Sequence, residues 1–523
     1  MKQQRKTRGR DLARFGFLGL VSAAVLFAVA QLVSAFFAVS SAPLVAMGSV
    51  FINLTPPWLK DLVIGLFGTN DKLVLFLSLG LVAAIVAVGI GLLARRSFGW
   101  AAGCIVILGA VISVAVISRP ATSLADITPT LVGVVASLFV MRALVNAAWR
   151  VEKAAVGEGP GADVERTASR RIFLFGTLFT VVGAGVVAGI GQSLATVRNV
   201  AVAAREALKL PAPRTSAPAL PAGVQVDVAG MPPFVTPNDD FYRIDTALSV
   251  PDINPSDWSL RIHGMVEKEL TIGFDELLAS ELSEAYVTLT CVSNAVGGSL
   301  VGNAKWLGLP IRDLLARAMP QPGADMVLST SIDGFSASTP LEVLTDGRDA
   351  LLAVGMNGTP LPLEHGFPVR MVVPGLYGFV SATKWVVDLE VTRFADAKAY
   401  WSTRGWSDHG PIKLASRVDV PRAFAKVASG KVTMGGTAWA QTRGISKVQV
   451  QIDDGDWKDA TLGTEASVDT WRQWSYVWEG GSSGNHSVTV RAVDGKGKVQ
   501  TSDKADPAPN GASGWQRIQF SVA

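Results

Sequence analysis

The sequence predicts a three-part chain, in which an α-helical membrane bundle precedes a mixed α+β domain and a β-sandwich. The chain has 523 residues, more than one ordinary hydrophobic core accommodates. Its long apolar runs are nearly all confined to residues 1–195. After residue 224 the pattern changes to short strands, turns and polar loops. We therefore expect a membrane region at one end and globular domains at the other.

The apolar runs are long enough to cross a bilayer, which takes about 20 residues of α-helix. A further apolar stretch, 43–68, is interrupted by Pro56, Pro57, Lys60 and Asp61, and we interpret it as interfacial or re-entrant. Five segments qualify as spans: 13–37, 72–94, 99–118, 128–148 and 172–194.

Basic residues predict the direction of these spans, because they are retained on the cytoplasmic side. They occur before the first span and in every second loop after it, including Arg95 and Arg96. Five spans with a cytoplasmic N-terminus would place everything after residue 195 outside the cytoplasmic membrane. The same basic flanks account for much of the net charge of +4, so nucleic-acid binding is not expected.

The stretch "ASRRIFLFG", 168–176, has two interpretations. Arg170 and Arg171 can be two more orienting charges. With Ser169, Phe173 and Leu174 they also resemble a twin-arginine signal, which exports proteins that have already folded. The second interpretation requires a cargo that must fold before it crosses.

The rest of the chain divides by composition. Residues 196–223 are rich in Pro and Ala and suit a semi-rigid spacer. We expect an α+β domain over 224–410 and an immunoglobulin-like β-sandwich over 411–523, where alternating strands such as "ISKVQVQIDDGDW" recur.

Cys291 is the candidate reactive residue of the α+β domain. It follows the strand "YVTLTCV" and enters a loop rich in Gly and small residues, where backbone can approach a ligand. The second cysteine, Cys104, lies in an apolar run, so no disulfide is expected in the globular part. A lone cysteine can equally be a small buried side chain.

Further pieces resemble the sulfite oxidase family of molybdopterin enzymes. They are "FYRID" (241–245), "LTCVSN", "KWLGLPIRDLL", "LLAVGMNGTPLPLEHGFPVRMVVPGLYG" and "ATKW" (382–385). The resemblance covers about 224–523 and implies a molybdenum held by one molybdopterin and by the thiolate of Cys291. Soft thiolate ligands suit a thiophilic metal, and the pterin would bring the other sulfurs.

The resemblance also implies the cofactor-binding residues. His365 and Arg370 would hold the pterin and its phosphate, with Thr383 and Lys384 adding contacts. Arg243, with Asp245, would lie near the metal, and Asn294 near the cofactor. Arg472, flanked by tryptophans, is similar in position to an arginine that reaches the active site in relatives.

Three departures from the family pattern concern the substrate. The histidine expected after Arg243 is replaced by Asp245 or Thr246, and the arginine expected after Cys291 is absent, since Ala295 and Val296 stand there. Trp406 stands near the position of the family's active-site tyrosine. These changes should weaken binding of a small dianion and favour a neutral or larger substrate, such as a sulfoxide.

The expected function is therefore oxygen-atom transfer to or from sulfur or nitrogen, with Cys291, Arg243 and Trp406 as catalytic residues. The four histidines all lie outside the predicted spans, so electrons are expected to pass to or from a separate quinone or redox protein. The family also implies a homodimer. Two alternatives are a non-enzymatic extracytoplasmic binding module and a transporter with a sensor domain; spans almost without charged residues argue against the transporter.

Overall fold

A computed structural model describes residues 2–37, 41–56, 59, 71–119, 124–156, 176–187 except 179, 189, and 200–523 except 248. The chain forms two compact units. One comprises Met1–Val200 with Ala247–Asp252, and the other Ala201–Thr246 with Ile253–Ala523. Each is described separately.

The first unit is helical. Its described helices are α1 (Lys2–Ser34), α2 (Pro43–Leu54), α3 (Asp71–Arg96), α4 (Phe98–Ile117) and α5 (Thr128–Val156). Four segments are long and apolar enough to cross a membrane: Leu12–Ser34, Val74–Arg96, Phe98–Ile117 and Leu124–Val151. They confirm the first four predicted spans. Their apolar side chains share one buried cluster, and α1 and α5 are joined by a 2.9 Å hydrogen bond between Ser22 and Ser137.

The remaining membrane predictions are covered only in part. Of the predicted fifth span, a shorter apolar helix at Gly176–Val187 is described. The twin-arginine-like residues 169–174 lie outside the described residues, as does most of 57–70. The N-terminal part of the stretch expected to be interfacial forms α2, a helix of 12 residues that begins with Pro43 at its first turn.

The second unit begins with α6 (Val200–Ala207), whose Ala201 is fully buried in the core of the α+β part. Arg205 donates to the carbonyl oxygens of Leu361 (2.8 Å) and Pro360 (3.1 Å). Further along, Thr215 pairs with Ser283. Residues 201–223 therefore pack against the domain and do not form the free spacer expected from their composition, because their backbone groups find partners there.

Two sheets build the α+β part. The first has the order β2-β1-β10-β5-β6 and the second β3-β4-β7-β8, with β9 paired to β7. Three short helices follow strands: α7 follows β2, α8 follows β4 and α9 follows β6. The elements are β1 (Ser259–Gly264), β2 (Leu270–Gly273), α7 (Phe274–Ala279), β3 (Ser283–Thr290), β4 (Val301–Pro310), α8 (Ile311–Ala318), β5 (Met326–Ser331), β6 (Ser336–Pro340), α9 (Leu341–Thr345), β7 (Leu351–Met356), β8 (Thr359–Pro360), β9 (Arg370–Val372) and β10 (Val386–Thr392).

The C-terminal part consists of two further sheets, ordered β11-β13-β17-β16 and β12-β19-β18-β14-β15. Alternating residues of both sheets enter one buried cluster that includes Met434, Trp474 and Val490. The strands are β11 (Ala415–Val420), β12 (Lys426–Val427), β13 (Gly430–Trp439), β14 (Ile445–Ile452), β15 (Lys458–Asp459), β16 (Thr461–Leu462), β17 (Arg472–Gly481), β18 (Gly484–Asp494) and β19 (Gln516–Val522).

Candidate functional site

Cys291 lies at the end of β3, in a loop whose shape depends on small residues. The Cys291 amide donates to Leu300 O at 3.0 Å, and the side-chain oxygen of Asn294 accepts from the Leu300 amide at 2.9 Å. A Cβ on Gly298 would lie 2.5 Å from that Asn294 oxygen, so only glycine fits there. Asn294 therefore closes the loop, and its side chain is not among those that line the adjacent cleft.

The Cys291 thiol is buried at the wall of this cleft, and its Sγ accepts from the Ser293 amide at 3.4 Å. Burial raises the pKa of the thiol above its ordinary value. A bound metal cation has the opposite effect on a thiol and would hold it as the thiolate.

The cleft collects six of the ten site residues that the sequence singled out. Its lining includes Asp245, Cys291, His365, Arg370, Lys384 and Trp406.

Arg370, on β9, is buried without an acidic partner among the described ion pairs. Its guanidinium donates to the carbonyl oxygens of His365 (3.1 Å), Met371 (3.3 Å) and Ala382 (3.5 Å). Burial lowers the pKa of Arg370 to about 10, and the group is still cationic at neutral pH. Backbone carbonyl groups and the ring of Trp306, whose centroid lies 5.1 Å from the guanidinium carbon, offset this charge without a carboxylate among the described ion pairs, so an anionic ligand would be favoured beside it.

His365 ends the short 3-10 turn Leu363–His365, and Gly366 follows with φ of 114°. A Cβ on Gly366 would meet the Cβ atoms of Arg370 at 2.9 Å and Lys384 at 3.2 Å. Burial and the neighbouring Arg370 lower the pKa of His365 to about 4. The neutral ring donates from Nε2 to Asn238 O at 3.1 Å, which leaves Nδ1 as an acceptor.

Lys384 joins this cationic group and pairs with Asp245. Its Nζ donates to Asp245 Oδ2 (2.8 Å) and to Glu364 O (2.9 Å). Burial lowers the pKa of Lys384 to about 8. Burial alone would raise the pKa of Asp245, but Lys384 and Arg243 outweigh it and hold that pKa below its usual range. We call His365, Arg370 and Lys384 the cationic wall.

Besides Asn294, two expected cofactor residues do not line the cleft. Arg243 donates to Asp245 Oδ2 at 2.8 Å with 43% of its side chain exposed, so it contacts the cleft only through Asp245. Thr383 is fully buried, and its hydroxyl lies 2.7 Å from that of Ser329. Its side chain links β5 to the segment before β10 and is turned away from the cavity.

Comparisons with known proteins agree with this arrangement. A family profile described as "Oxidoreductase molybdopterin binding domain" matches residues 247–401. An uncharacterized oxidoreductase of Bacillus subtilis, YuiH, is 30% identical over 29% of this chain and 74% of its own. The chain belongs to the sulfite oxidase family of molybdopterin oxidoreductases.

Mouse mitochondrial sulfite oxidase, another member of the sulfite oxidase family, is 28% identical over 55% of this chain and 62% of its own length. The chain thus spans about three fifths of that relative. A crystal structure of the sulfane dehydrogenase SoxCD from Paracoccus pantotrophus aligns with a TM-score of 0.47, at 24% identity, over 55% of this chain and 80% of the other.

The residues present fit the cofactor that the sulfite oxidase family implies. Among the described residues no group of three or more His, Cys, Asp and Glu is placed to hold a metal ion. Cys291 offers one thiol at the cleft, and molybdopterin carries two sulfurs and a phosphate of its own. The cationic wall supplies a buried guanidinium and ammonium with one carboxylate, Asp245, so it has an excess of positive charge suited to that phosphate.

Four aromatic rings form an apolar surface in the same cleft, in contrast to the cationic wall, and we call them the aromatic wall. Phe335, Phe379, Trp401 and Trp406 all line the cleft. The ring centroid of Trp406 lies 6.0 Å from that of Phe379 and 6.0 Å from that of Trp401. Trp406 therefore lies in the cleft as expected for an active-site residue, but as one member of an apolar surface.

Several lining residues were missed from the sequence. Tyr242 is buried in the cleft, and burial and the nearby Cys291 raise its pKa. It precedes Arg243 in "FYRID", so the motif itself was the available signal. Asp333, Phe335 and Trp401 carried no such signal, since the turn that holds Asp333 and Phe335 is more than 60 residues from Trp401 in the chain.

Arg472, expected near the active site, lies elsewhere. It donates to the carbonyl oxygens of Gly463 (2.7 Å) and Ile445 (2.8 Å), all three within the C-terminal sheets. It is not among the residues that line the cleft, so this expectation is wrong.

Proposed function

We propose that this chain is a membrane-anchored molybdopterin oxidoreductase that transfers an oxygen atom to or from a sulfur or nitrogen centre. The observation that carries the proposal is the cleft that joins the Cys291 thiol to the buried cations Arg370 and Lys384 and the neutral ring of His365 in the cationic wall.

Each residue has a defined part in this proposal. Cys291 holds the molybdenum through its sulfur, and Arg370 and Lys384 hold the pterin phosphate with the help of His365. Asp245 keeps Lys384 in place, and Arg243 keeps Asp245 ionised. Asn294 and Thr383 shape the segments that carry Cys291 and Lys384. When bound, the molybdenum cofactor would supply two-electron redox chemistry for oxygen-atom transfer.

We expect the substrate to be neutral or large. Ala295 and Val296 stand where the family pattern has arginine. These two positions therefore supply no positive charge to the cleft. Trp406 adds an apolar surface with the other rings of the aromatic wall. A strict sulfite oxidase would need more positive charge at the substrate, because sulfite is a dianion.

The helices support a membrane anchor, and their direction is part of the proposal. With a fifth span at 172–194 and basic loops on the cytoplasmic side, the catalytic unit lies outside the cytoplasmic membrane. Molybdopterin is inserted in the cytoplasm, so export of the folded unit through Arg170 and Arg171 is the proposed route. Changing both to lysine should leave the catalytic unit protected from protease added to spheroplasts. Normal accessibility would disprove the use of this signal.

The electron partner is proposed to be a quinone or a separate redox protein, and the dimer implied by the family stays a prediction. Sedimentation of the purified chain in detergent would test it, with a dimer expected.

The test of the function is the molybdenum and pterin content of the full-length chain, purified from a host that makes the cofactor. We expect close to one molybdenum per chain, a loss of more than tenfold in Cys291→Ser, and no loss in Cys104→Ser, whose thiol lies in α4. A well-folded wild-type chain without molybdenum would contradict the proposal and favour a membrane-tethered binding module. If the wild-type chain does contain molybdenum, sulfoxides, N-oxides and sulfite would be compared as its substrates.

A further inference from the structure

One carboxylate lines the cleft without a cationic partner among the described ion pairs, namely Asp333 in the turn between β5 and β6. Its Oδ1 accepts from the Phe335 amide at 3.3 Å, and its Oδ2 lies 3.5 Å from the Thr246 hydroxyl. Asp333 is only half-buried, so its charge faces the open part of the cleft. These contacts leave most of its acceptor capacity unused.

Aromatic rings continue from this carboxylate around the cleft. Phe335 lies 5.9 Å from Tyr400, and Tyr400 lies 5.2 Å from Trp401, between ring centroids. Trp401 then contacts Trp406 at 6.0 Å. Asp333 is close enough to Tyr400 to contribute to the raised pKa of its phenol, although burial is the larger cause. One face of the Tyr400 ring is already covered by the guanidinium of Arg404, whose carbon lies 3.5 Å from the ring centroid. The rings that line the cleft on the same surface as the carboxylate are therefore Phe335, Trp401 and Trp406.

This surface reaches the proposed reaction centre. Phe379, the last ring of the aromatic wall, follows Gly378 in the chain, and a Cβ on Gly378 would lie 4.0 Å from the carbonyl oxygen of Thr290, the residue before Cys291. A group bound between Asp333 and the rings would thus lie in the same cleft as Cys291.

A carboxylate beside several ring faces has a specific ligand chemistry. The faces of Trp, Tyr and Phe attract a cation through their quadrupole, and the carboxylate adds a direct charge interaction. An organic ammonium group can make both interactions at once. Its methyl or methylene groups pack on the rings, and its positive charge interacts with the carboxylate. An anion would be repelled by Asp333, and a neutral apolar group would gain nothing from it.

We propose that Asp333, Phe335, Trp401 and Trp406 bind an organic ammonium group. This inference rests on the proposed function in one respect, that the ammonium group belongs to the sulfur- or nitrogen-centred substrate. The binding site itself requires no turnover.

The turn does not need the charge of Asp333. The contact with the Phe335 amide uses one side-chain oxygen, and the amide oxygen of asparagine accepts the same hydrogen bond. Asp333→Asn therefore removes the charge and keeps the turn. Asp396→Asn, an exposed carboxylate that does not line the cleft, is the matched control.

The experiment measures binding of choline and of its uncharged isostere 3,3-dimethyl-1-butanol to the full-length chain in detergent by calorimetry. We expect choline to bind about tenfold more tightly than the alcohol, a preference that combines the ring faces and one half-buried carboxylate. Asp333→Asn should abolish this preference, and Asp396→Asn should retain it. Equal binding of the two ligands by the wild type, or an unchanged preference in Asp333→Asn, would overturn the proposal.

Molybdenum content, measured on the same samples, separates this inference from the proposed function. A chain that lacks molybdenum but shows a preference for choline dependent on Asp333 supports the ammonium site and contradicts the oxidoreductase. A loaded chain without any preference for the charged ligand overturns the ammonium site alone.

Discussion

The cationic wall and the aromatic wall line the same cleft but are stabilised in opposite ways. The cationic wall buries Arg370 and Lys384, whose pKa values are lowered to about 10 and about 8 because burial disfavours charge. The aromatic wall places Trp401 and Trp406 against each other, which is favourable without a ligand. Burying the charges of the cationic wall costs stability until an anion binds there. The packing of the aromatic wall is favourable without any ligand.

The difference teaches how to separate cofactor residues from substrate residues in this cleft. Changes in the cationic wall should alter cofactor content and the stability of the cofactor-free chain. Changes in the aromatic wall should alter substrate binding and leave the cofactor in place.

Arg370→Met should have the largest effect and weaken cofactor binding by about 2–5 kcal/mol, because the pterin phosphate loses the charge-assisted hydrogen bonds of a buried guanidinium. Arg370→Lys should retain more cofactor than Arg370→Met, since it keeps the charge. Pterin content after purification measures the effect, and exposed Arg261→Met serves as the control. Full pterin content in a folded Arg370→Met chain would contradict the role of this wall.

Acid should destabilise the cofactor-free chain through His365. The unfolded chain takes up this proton below about pH 6.5, whereas the folded chain does so only near pH 4. The free energy of unfolding should therefore fall as the pH falls through that window, by about 3 kcal/mol.

Denaturant titrations at pH 7 and pH 4 measure this change. His365→Asn should reduce it, whereas His409→Asn, an exposed histidine outside the cleft, should not. The same pH dependence in the wild type and in His365→Asn would show that other groups carry it.

Gly366→Ala should cost about 2–3 kcal/mol of stability and part of the cofactor, because the new Cβ adds steric contact to backbone strain. It would lie 2.9 Å from Arg370 Cβ, with φ at 114°. Gly358→Ala is the matched control, since φ is 82° and nothing lies within 4 Å of the added atom. It should cost about 1 kcal/mol. Thermal unfolding of both variants gives the comparison, and equal losses would show that the contact with the cationic wall is unimportant.

Trp406→Tyr should have the smallest effect and should leave molybdenum content unchanged. We expect KM for an aryl sulfoxide to rise about threefold, because part of the ring surface next to Phe379 and Trp401 is lost. Steady-state kinetics on samples of equal molybdenum content measure it. A loss of cofactor in this variant would break the division between the two walls.

Some parts of the site could be predicted because they are local in sequence. Cys291 follows a strand and enters a small-residue loop, and His365 and Arg370 lie within one continuous motif, so their placement in one cleft followed from the family pattern. Asn294 and Thr383 belong to the same motifs, yet their side chains form the Leu300 and Ser329 contacts instead. A motif defines the backbone path but not the direction of every side chain along it.

Membrane helices could also be predicted, since about 20 apolar residues are a property of composition alone. The packing of residues 201–223 could not be predicted, because a Pro/Ala-rich segment has no periodic pattern that indicates which residues it contacts. Its partners, such as Leu361 for Arg205 and Ser283 for Thr215, lie far away in the chain.

Composition and short contiguous motifs were sufficient to predict the order of the parts, the four apolar helices, the reactive cysteine and the residues of the cationic wall. The shared surface of Asp333, Phe335, Trp401 and Trp406 beside Cys291 emerges only from the fold. The first two residues lie in the turn between β5 and β6 and the two tryptophans lie about 70 residues later, so their proximity depends on how the sheets position the loop ends. Long-range packing of that kind leaves no local trace in the sequence.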